Sequence, residues 1–172
     1  MQFSFFQLSL FSFARRQRKS APKPRAARST RSATSAVDPT LYAIWTELIG
    51  KYFPDRRDLL SYNVSWARRR QKRTLGCCNL TKRRVSIAQE LRRPGLEHWV
   101  EAVLYHELCH AVLGSEAIRR GGRRAWHGPE FKNLEARHPG SRALQEWMHN
   151  GGWLGAVRSA RSRASWLRRA AA

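Results

Sequence analysis

The feature that most constrains this chain is a pair of histidines four residues apart, His106 and His110, inside one long apolar segment. Apolar residues from Leu96 to Leu113 recur with helical spacing, so we expect one helix over this range. Residues at positions i and i+4 project from the same face of a helix, about 5 to 6 Å apart. Two imidazoles placed in this way can bind one zinc ion, and Glu107 between them can take a proton from a bound water.

On a helical wheel the two histidines and Glu107 share a stripe with apolar residues, which points these polar groups toward the core. A buried carboxylate beside two imidazoles is costly unless each group has a partner, and a bound metal with its water supplies one. The alternative is a pair of core histidines beside a salt-bridged glutamate, without metal. His98 lies about 200° from the stripe, so we expect it to be exposed to solvent. The apolar members of the stripe are Leu96, Trp99, Val100, Val103 and Ala111.

A catalytic zinc ion needs a third protein ligand, and three histidines downstream are candidates. His127 precedes Gly128 and Pro129, a pair that suits close backbone approach and the first turn of a helix, so His127 would be held at a helix entrance. His138 and His149 each precede turn residues, and we interpret them as surface or helix-end histidines. The sequence therefore favours His127 as the third ligand, with His138 as the next candidate.

The remaining patterns predict an α+β fold, because one helix and three short strands precede the helices of the second half. We expect the strands to form a small antiparallel sheet packed on the helices, with a hairpin turn over residues 79–83. The expected helices are 38–53, 96–113, 129–137 and 141–148, and the expected strands are 62–66, 74–79 and 84–88.

Charge marks the domain boundaries in this 172-residue chain of net charge +21. Residues 1–37 hold eight Lys and Arg, residues 147–172 hold five Arg, and neither segment has an acidic residue. We therefore expect a disordered basic arm at 1–37, a folded domain at 38–150 and a basic tail at 151–172. The longest apolar runs are too short to span a bilayer. Three cysteines give neither a disulfide framework nor paired zinc knuckles, which favours a reducing compartment.

Three motifs occur in the order typical of one protein family: R-T-L-G-C-C-N at 73–79, H-E-L-C-H-A at 106–111 and H-G-P-E-F-K at 127–132. Over about residues 40–150 the chain resembles the SprT-like zinc metalloproteases. The resemblance implies a zincin-like fold, one catalytic Zn²⁺ bound by His106, His110 and His127, and Glu107 as the catalytic base. For eukaryotic members it implies proteolysis of proteins crosslinked to DNA. The chain departs from many bacterial members, because no cysteine follows Cys109 to form their C-terminal zinc ribbon.

Basic residues cluster around the expected hairpin and in the Gly- and Arg-rich loop between Gly114 and Trp126. The arginines and lysines suit contacts with phosphates, and Trp66 among them suits stacking on a base. Neither contact depends on base sequence, and stacking favours single-stranded or distorted DNA. The alternative is a solvated basic face with no specific partner. The hairpin candidates for nucleic-acid binding are Trp66, Arg68, Arg69, Arg70, Lys72, Arg73, Lys82, Arg83 and Arg84.

Two functions follow from these observations. The first is a zinc endopeptidase that acts on DNA-bound or DNA-crosslinked proteins, and the second is a basic nucleic-acid-binding protein with a structural zinc ion. Glu107 favours the first, because a structural site has no use for an uncoordinated carboxylate between its ligands. We expect a cytoplasmic, nucleoid-associated protein, although the acid-free, Arg- and Ser-rich composition of residues 1–37 also matches an organellar transit peptide.

Overall fold

The computed structural model describes residues 36–114 and 126–171, so all but two residues of the expected basic arm and most of the Arg-rich loop lie outside it. Within these ranges the chain forms five α-helices and one three-stranded sheet, the expected α+β class. No helix in the described part is long and apolar enough to cross a membrane. The elements are α1 Pro39–Tyr52, β1 Asn63–Trp66, β2 Gly76–Asn79, β3 Arg84–Ile87, α2 Trp99–Leu113, α3 Pro129–Glu135, α4 Gly140–His149 and α5 Gly152–Ala170, with short 3-10 helices at Arg57–Ser61 and Gln89–Arg92.

The sheet is mixed, and the expectation of a purely antiparallel sheet was wrong. Strand β3 lies in the middle, antiparallel to β2 and parallel to β1. The hairpin explains the first pairing, and its turn is closed by Asn79, whose Oδ1 accepts a hydrogen bond from the backbone N–H of Lys82 (2.8 Å). The second pairing arises because residues 67–75 connect β1 to β2 without pairing next to β1, so that a gap is left between them, which β3 later fills. Strand β2 returns along the far edge, so β3 then runs in the same direction as β1.

Helix α2 occupies the centre of the fold and is buried on nearly all sides, where we expected one buried stripe. It packs against α1, α3, α4 and the sheet, and only Glu101 is exposed along its first turns. The helix begins at Trp99, after a run of turns that follows Pro94 and Gly95. Its histidines and Glu107 therefore lie in the interior because the whole helix does, and not because one face is apolar.

The C-terminal segment 151–172, which we interpreted as a basic tail, contains helix α5. Trp153, Ala156 and Val157 in its first half are buried in the core. Arg93 fixes the helix from outside by donating hydrogen bonds to the carbonyl of Ala156 (3.2 Å) and to Ser159 Oγ (3.0 Å). The first half of α5 is thus part of the folded body.

Candidate metal centre

Three histidines meet where α2 passes the start of α3. His106 and His110 lie one turn apart on α2, and His127 lies just before α3, which begins at Pro129 with Gly128 as its N-cap. One ring nitrogen from each histidine lies within 4.8 Å of the other two. Nε2 of His127 is 3.2 Å from Nε2 of His110. Two nitrogens bound to one tetrahedral zinc ion are about 3.3 Å apart, so the His110–His127 pair has the spacing that zinc needs, and three imidazoles suit zinc in their chemistry.

A phenyl ring forms the wall against which the three imidazoles pack. The ring centroid of Phe131 lies 4.9 Å from that of His106, 4.5 Å from that of His110 and 4.7 Å from that of His127. Phe131 is buried in the first turns of α3. Its apolar surface limits the positions that each ring can adopt, which lowers the entropy cost of holding three ligands together.

Burial keeps two of the imidazoles neutral. Desolvation lowers the pKa of His110 from 6.5 to about 2, and the neighbouring His106 and His127 lower it further in the same direction. Desolvation, with the adjacent His106, lowers the pKa of His127 to about 4. A metal binds the unprotonated imidazole nitrogen, so both residues are ready to act as ligands at neutral pH.

A carboxylate that the sequence analysis missed orients the third imidazole. Glu135 Oε1 lies 2.6 Å from His106 Nδ1, and Gln145 donates a hydrogen bond to the other carboxylate oxygen (2.8 Å). Because a carboxylate accepts, Nδ1 of His106 carries the proton and Nε2 keeps the lone pair that a metal needs. One sequence signal was present: Glu135 shares the buried face of α3 with Phe131 and Leu134, an unusual place for an acid.

Glu107 is held in a tight niche between α2 and β2. Its side chain is 2% exposed, and the backbone N–H of Cys78 donates a hydrogen bond to the carboxylate. Burial raises the pKa of Glu107 from 4.5 to about 7. A Cβ atom at Gly76 would overlap the Glu107 side chain, so any larger residue at the start of β2 would displace the carboxylate from this position. No local pattern indicates this contact, because 31 positions separate the two residues.

The other histidines lie elsewhere in the described structure. His138 is buried, which corrects our interpretation of it as a surface or helix-end residue. Its Nε2 lies 3.1 Å from Glu101 Oε1, its Nδ1 accepts from the backbone N–H of Gly140 (3.1 Å), and its ring stacks on Tyr105. These contacts join α2 to the α3–α4 connection, so His138 has a structural role. His98 and His149 are exposed, as expected.

The candidate nucleic-acid residues divide into two groups that the structure does not bring together. Trp66 ends β1, and Arg68, Arg69, Arg70, Lys72 and Arg73 follow it in the β1–β2 connection. Lys82, Arg83 and Arg84 lie at the opposite end of the sheet, about 10 Å away across strands of four residues. Trp66 is half-buried, with the Arg92 guanidinium 5.3 Å from its ring centroid, so its face is already covered in part.

Comparison with known proteins gives one family. The family model described as "SprT-like family" matches residues 42–146, which include every histidine of the metal centre and Glu107. The comparisons with curated proteins and with solved structures returned no match. The matched range ends within α4, so α5 lies beyond it.

Proposed function

The chain belongs to the SprT-like family, and from this premise we propose that it is a zinc-dependent endopeptidase that acts on proteins bound or crosslinked to DNA. The observation that carries the proposal is the placement of a buried glutamate, Glu107, beside three histidines whose ring nitrogens lie within 4.8 Å of one another. An isolated buried carboxylate costs folding free energy, and a role in proton transfer accounts for its retention there.

His106, His110 and His127 would hold the zinc ion, which when bound lowers the pKa of a coordinated water and polarises a substrate carbonyl. Glu107 accepts the proton of the attacking water and then donates it to the amine nitrogen of the leaving peptide. A pKa raised by burial toward neutrality suits a group that must act first as base and then as acid. The hydrogen bond from Cys78 N–H and the close packing against Gly76 hold the carboxylate in one orientation for both proton transfers.

Strand β2 offers a binding edge for a protein substrate. It is an edge strand of the sheet, and Gly76 and Cys78 on it contact Glu107. An extended substrate segment that pairs with this edge as an additional strand brings its backbone next to Glu107. Recognition through backbone hydrogen bonds depends little on side-chain identity, which suits an enzyme whose substrates are defined by their attachment to DNA.

The basic residues around the sheet and on α5 support the DNA-directed part of the proposal. They give the described region many arginines that can replace the counterions of a phosphate backbone, independently of base sequence. We therefore propose that the protein is cytoplasmic and associates with the DNA of the nucleoid. The same charge also favours the second candidate, a nucleic-acid-binding protein whose zinc ion is structural.

One variant separates the two candidates. Glu107→Gln keeps the size of the side chain and an oxygen that can accept from Cys78 N–H, but it cannot take up a proton. We expect the zinc-loaded wild type to cleave a DNA-binding protein, faster when single-stranded DNA is present. We expect Glu107→Gln to retain zinc and DNA binding and to cleave more slowly by about 100-fold or more. Equal cleavage by the variant, or no cleavage by the zinc-loaded wild type, would refute the peptidase and leave the structural-zinc candidate.

A further inference from the structure

The outer surface of α5 carries charge of one sign and a large exposed aromatic residue. No acidic residue occurs in residues 152–172, and the Trp166 side chain lies near the end of the helix with 60% of the residue exposed. In the first half of the helix Trp153, Ala156 and Val157 are buried in the core, whereas Leu154 is 45% exposed. The arginines of the helix are Arg158, Arg161, Arg163, Arg168 and Arg169.

One side of α5 combines the aromatic residue with charge. Ser159, Arg163 and Trp166 are spaced i, i+4 and i+7, so they form one line along the helix. Ser159 Oγ accepts a hydrogen bond from Arg93 (3.0 Å), which places this line on the side that faces the 3-10 helix Gln89–Arg92. Arg161 projects about 160° away from Arg163, on the other flank of the helix.

The basic connection between β1 and β2 reaches the same helix. Arg70 Nη1 lies 3.5 Å from the carbonyl oxygen of Ala160 on α5. The connection is held in this place by two hydrogen bonds, from Gln89 Nε2 to the carbonyl of Ala67 and from the backbone N–H of Gln71 to Glu90. The structure therefore brings Arg70 alongside α5. We call Arg70, Arg163 and Trp166 the α5 strip.

We propose that the α5 strip is a binding site for single-stranded nucleic acid, in which Trp166 stacks on a base and the two arginines contact phosphates. This inference rests on the DNA-directed part of the proposed function and gives it a location. An exposed indole can stack on an unpaired base, whereas the bases of a duplex are already stacked on each other. An anionic membrane is disfavoured, because Trp153, Val157 and Ala164 of α5 face the protein, and the exposed apolar residues Leu154, Trp166 and Leu167 lie about 100° to 140° apart around the helix, so they form no single apolar face to insert.

The test measures binding of the full chain to fluorescein-labelled oligothymidylate by anisotropy over a range of salt concentrations. We expect Trp166→Ala to weaken binding about 5- to 100-fold without changing the salt slope, and Trp166→Phe to keep most of the affinity. We expect Arg163→Gln to lower the slope of log K against log salt by about 0.7. The matched control is Arg161→Gln, which removes the same charge from the other flank and should leave affinity and slope nearly unchanged. Trp166 is exposed, so its substitutions should leave the thermal midpoint unaltered.

Three results would overturn the assignment: Trp166→Ala binding as tightly as wild type, Arg161→Gln and Arg163→Gln having equal effects, or phosphatidylserine vesicles competing for the protein in a Trp166-dependent manner. Cleavage of a short peptide without DNA separates this inference from the peptidase. If the wild type cleaves the peptide but Trp166→Ala leaves binding intact, the α5 strip is wrong and the peptidase stands. If binding depends on Trp166 and no peptide is cleaved, the strip stands and the peptidase is wrong.

Discussion

The polar groups of the metal centre are buried, whereas those of the basic β1–β2 connection, residues 67–75, are mostly exposed to solvent. At the centre, His106, Glu107 and Glu135 are almost fully buried, and each is fixed by contacts with a different element. At the surface, most of the basic side chains between β1 and β2 are exposed. Hydrogen bonds with Gln89, Glu90 and Ala160 help to position this connection.

This difference determines how each region responds to substitution. A buried polar group that loses its partner keeps the full cost of desolvation, so single substitutions at the metal centre should have large effects. Exposed charges act at longer range through water and salt, so each contributes little and several must be removed together. The following predictions test this contrast, from the largest expected effect to the smallest.

The largest effect should follow removal of a ligand. We expect His106→Ala and His110→Ala to reduce bound zinc nearly to zero and His127→Ala to reduce it strongly, as measured by metal analysis of the purified protein. His149→Ala, which alters an exposed histidine at the end of α4, is the control and should retain zinc. Full zinc in His127→Ala would show that the third ligand is a different residue.

The buried carboxyl should make the stability of the metal-free protein depend on pH. The pKa of Glu107 is raised from 4.5 to about 7, so between these values the folded state holds a proton that the unfolded chain releases, and stability falls as pH rises. We expect Glu107→Gln to stabilise the protein relative to wild type by about 2 to 3 kcal/mol more at pH 8 than at pH 5. Urea unfolding in the presence of a chelator measures this difference.

The histidines do not disturb that comparison. The pKa values of His110 and His127 are lowered, so the unfolded state takes up more protons below about pH 6.5 and stability is lost as pH falls. That loss should be similar in wild type and in Glu107→Gln, and it largely cancels in their difference. A difference in unfolding free energy that is the same at pH 5 and pH 8 would show that Glu107 is not protonated in the folded state.

Glu135 should have an intermediate effect, because it acts on the metal through His106. Glu135→Gln keeps the size of the side chain but offers a neutral, weaker acceptor to Nδ1 of His106. We expect zinc affinity to fall about 10- to 100-fold in a chelator competition assay. Glu130→Gln makes the same change at an exposed position of α3 and should leave zinc affinity unchanged. Equal affinities in the two variants would contradict the orienting role of Glu135.

The sequence predicted the parts of the site that depend on local spacing. The pair His106 and His110 follows from the helical repeat, and the position of His127 at the start of α3 follows from Gly128 and Pro129. Glu135 and Gly76 were missed because their partners are distant in sequence. The parallel pairing of β1 with β3 was missed for a similar reason: it depends on where residues 67–75 cross the sheet, and this leaves no periodic signal.

The smallest effect should come from the exposed charge, and the two ends of the sheet provide a matched pair of variants. We expect neutralisation of Arg68, Arg69 and Arg70 to lower the salt slope of binding to single-stranded DNA by about 2 and to remove the stimulation of proteolysis by DNA. The rate on a short peptide without DNA should not change, because these residues lie outside the metal centre. Neutralising Lys82, Arg83 and Arg84 removes the same charge from the opposite end of the sheet, away from α5. If both triple variants lose stimulation equally, net charge alone recruits DNA, and the organisation of the β1–β2 connection along α5 has no part in it.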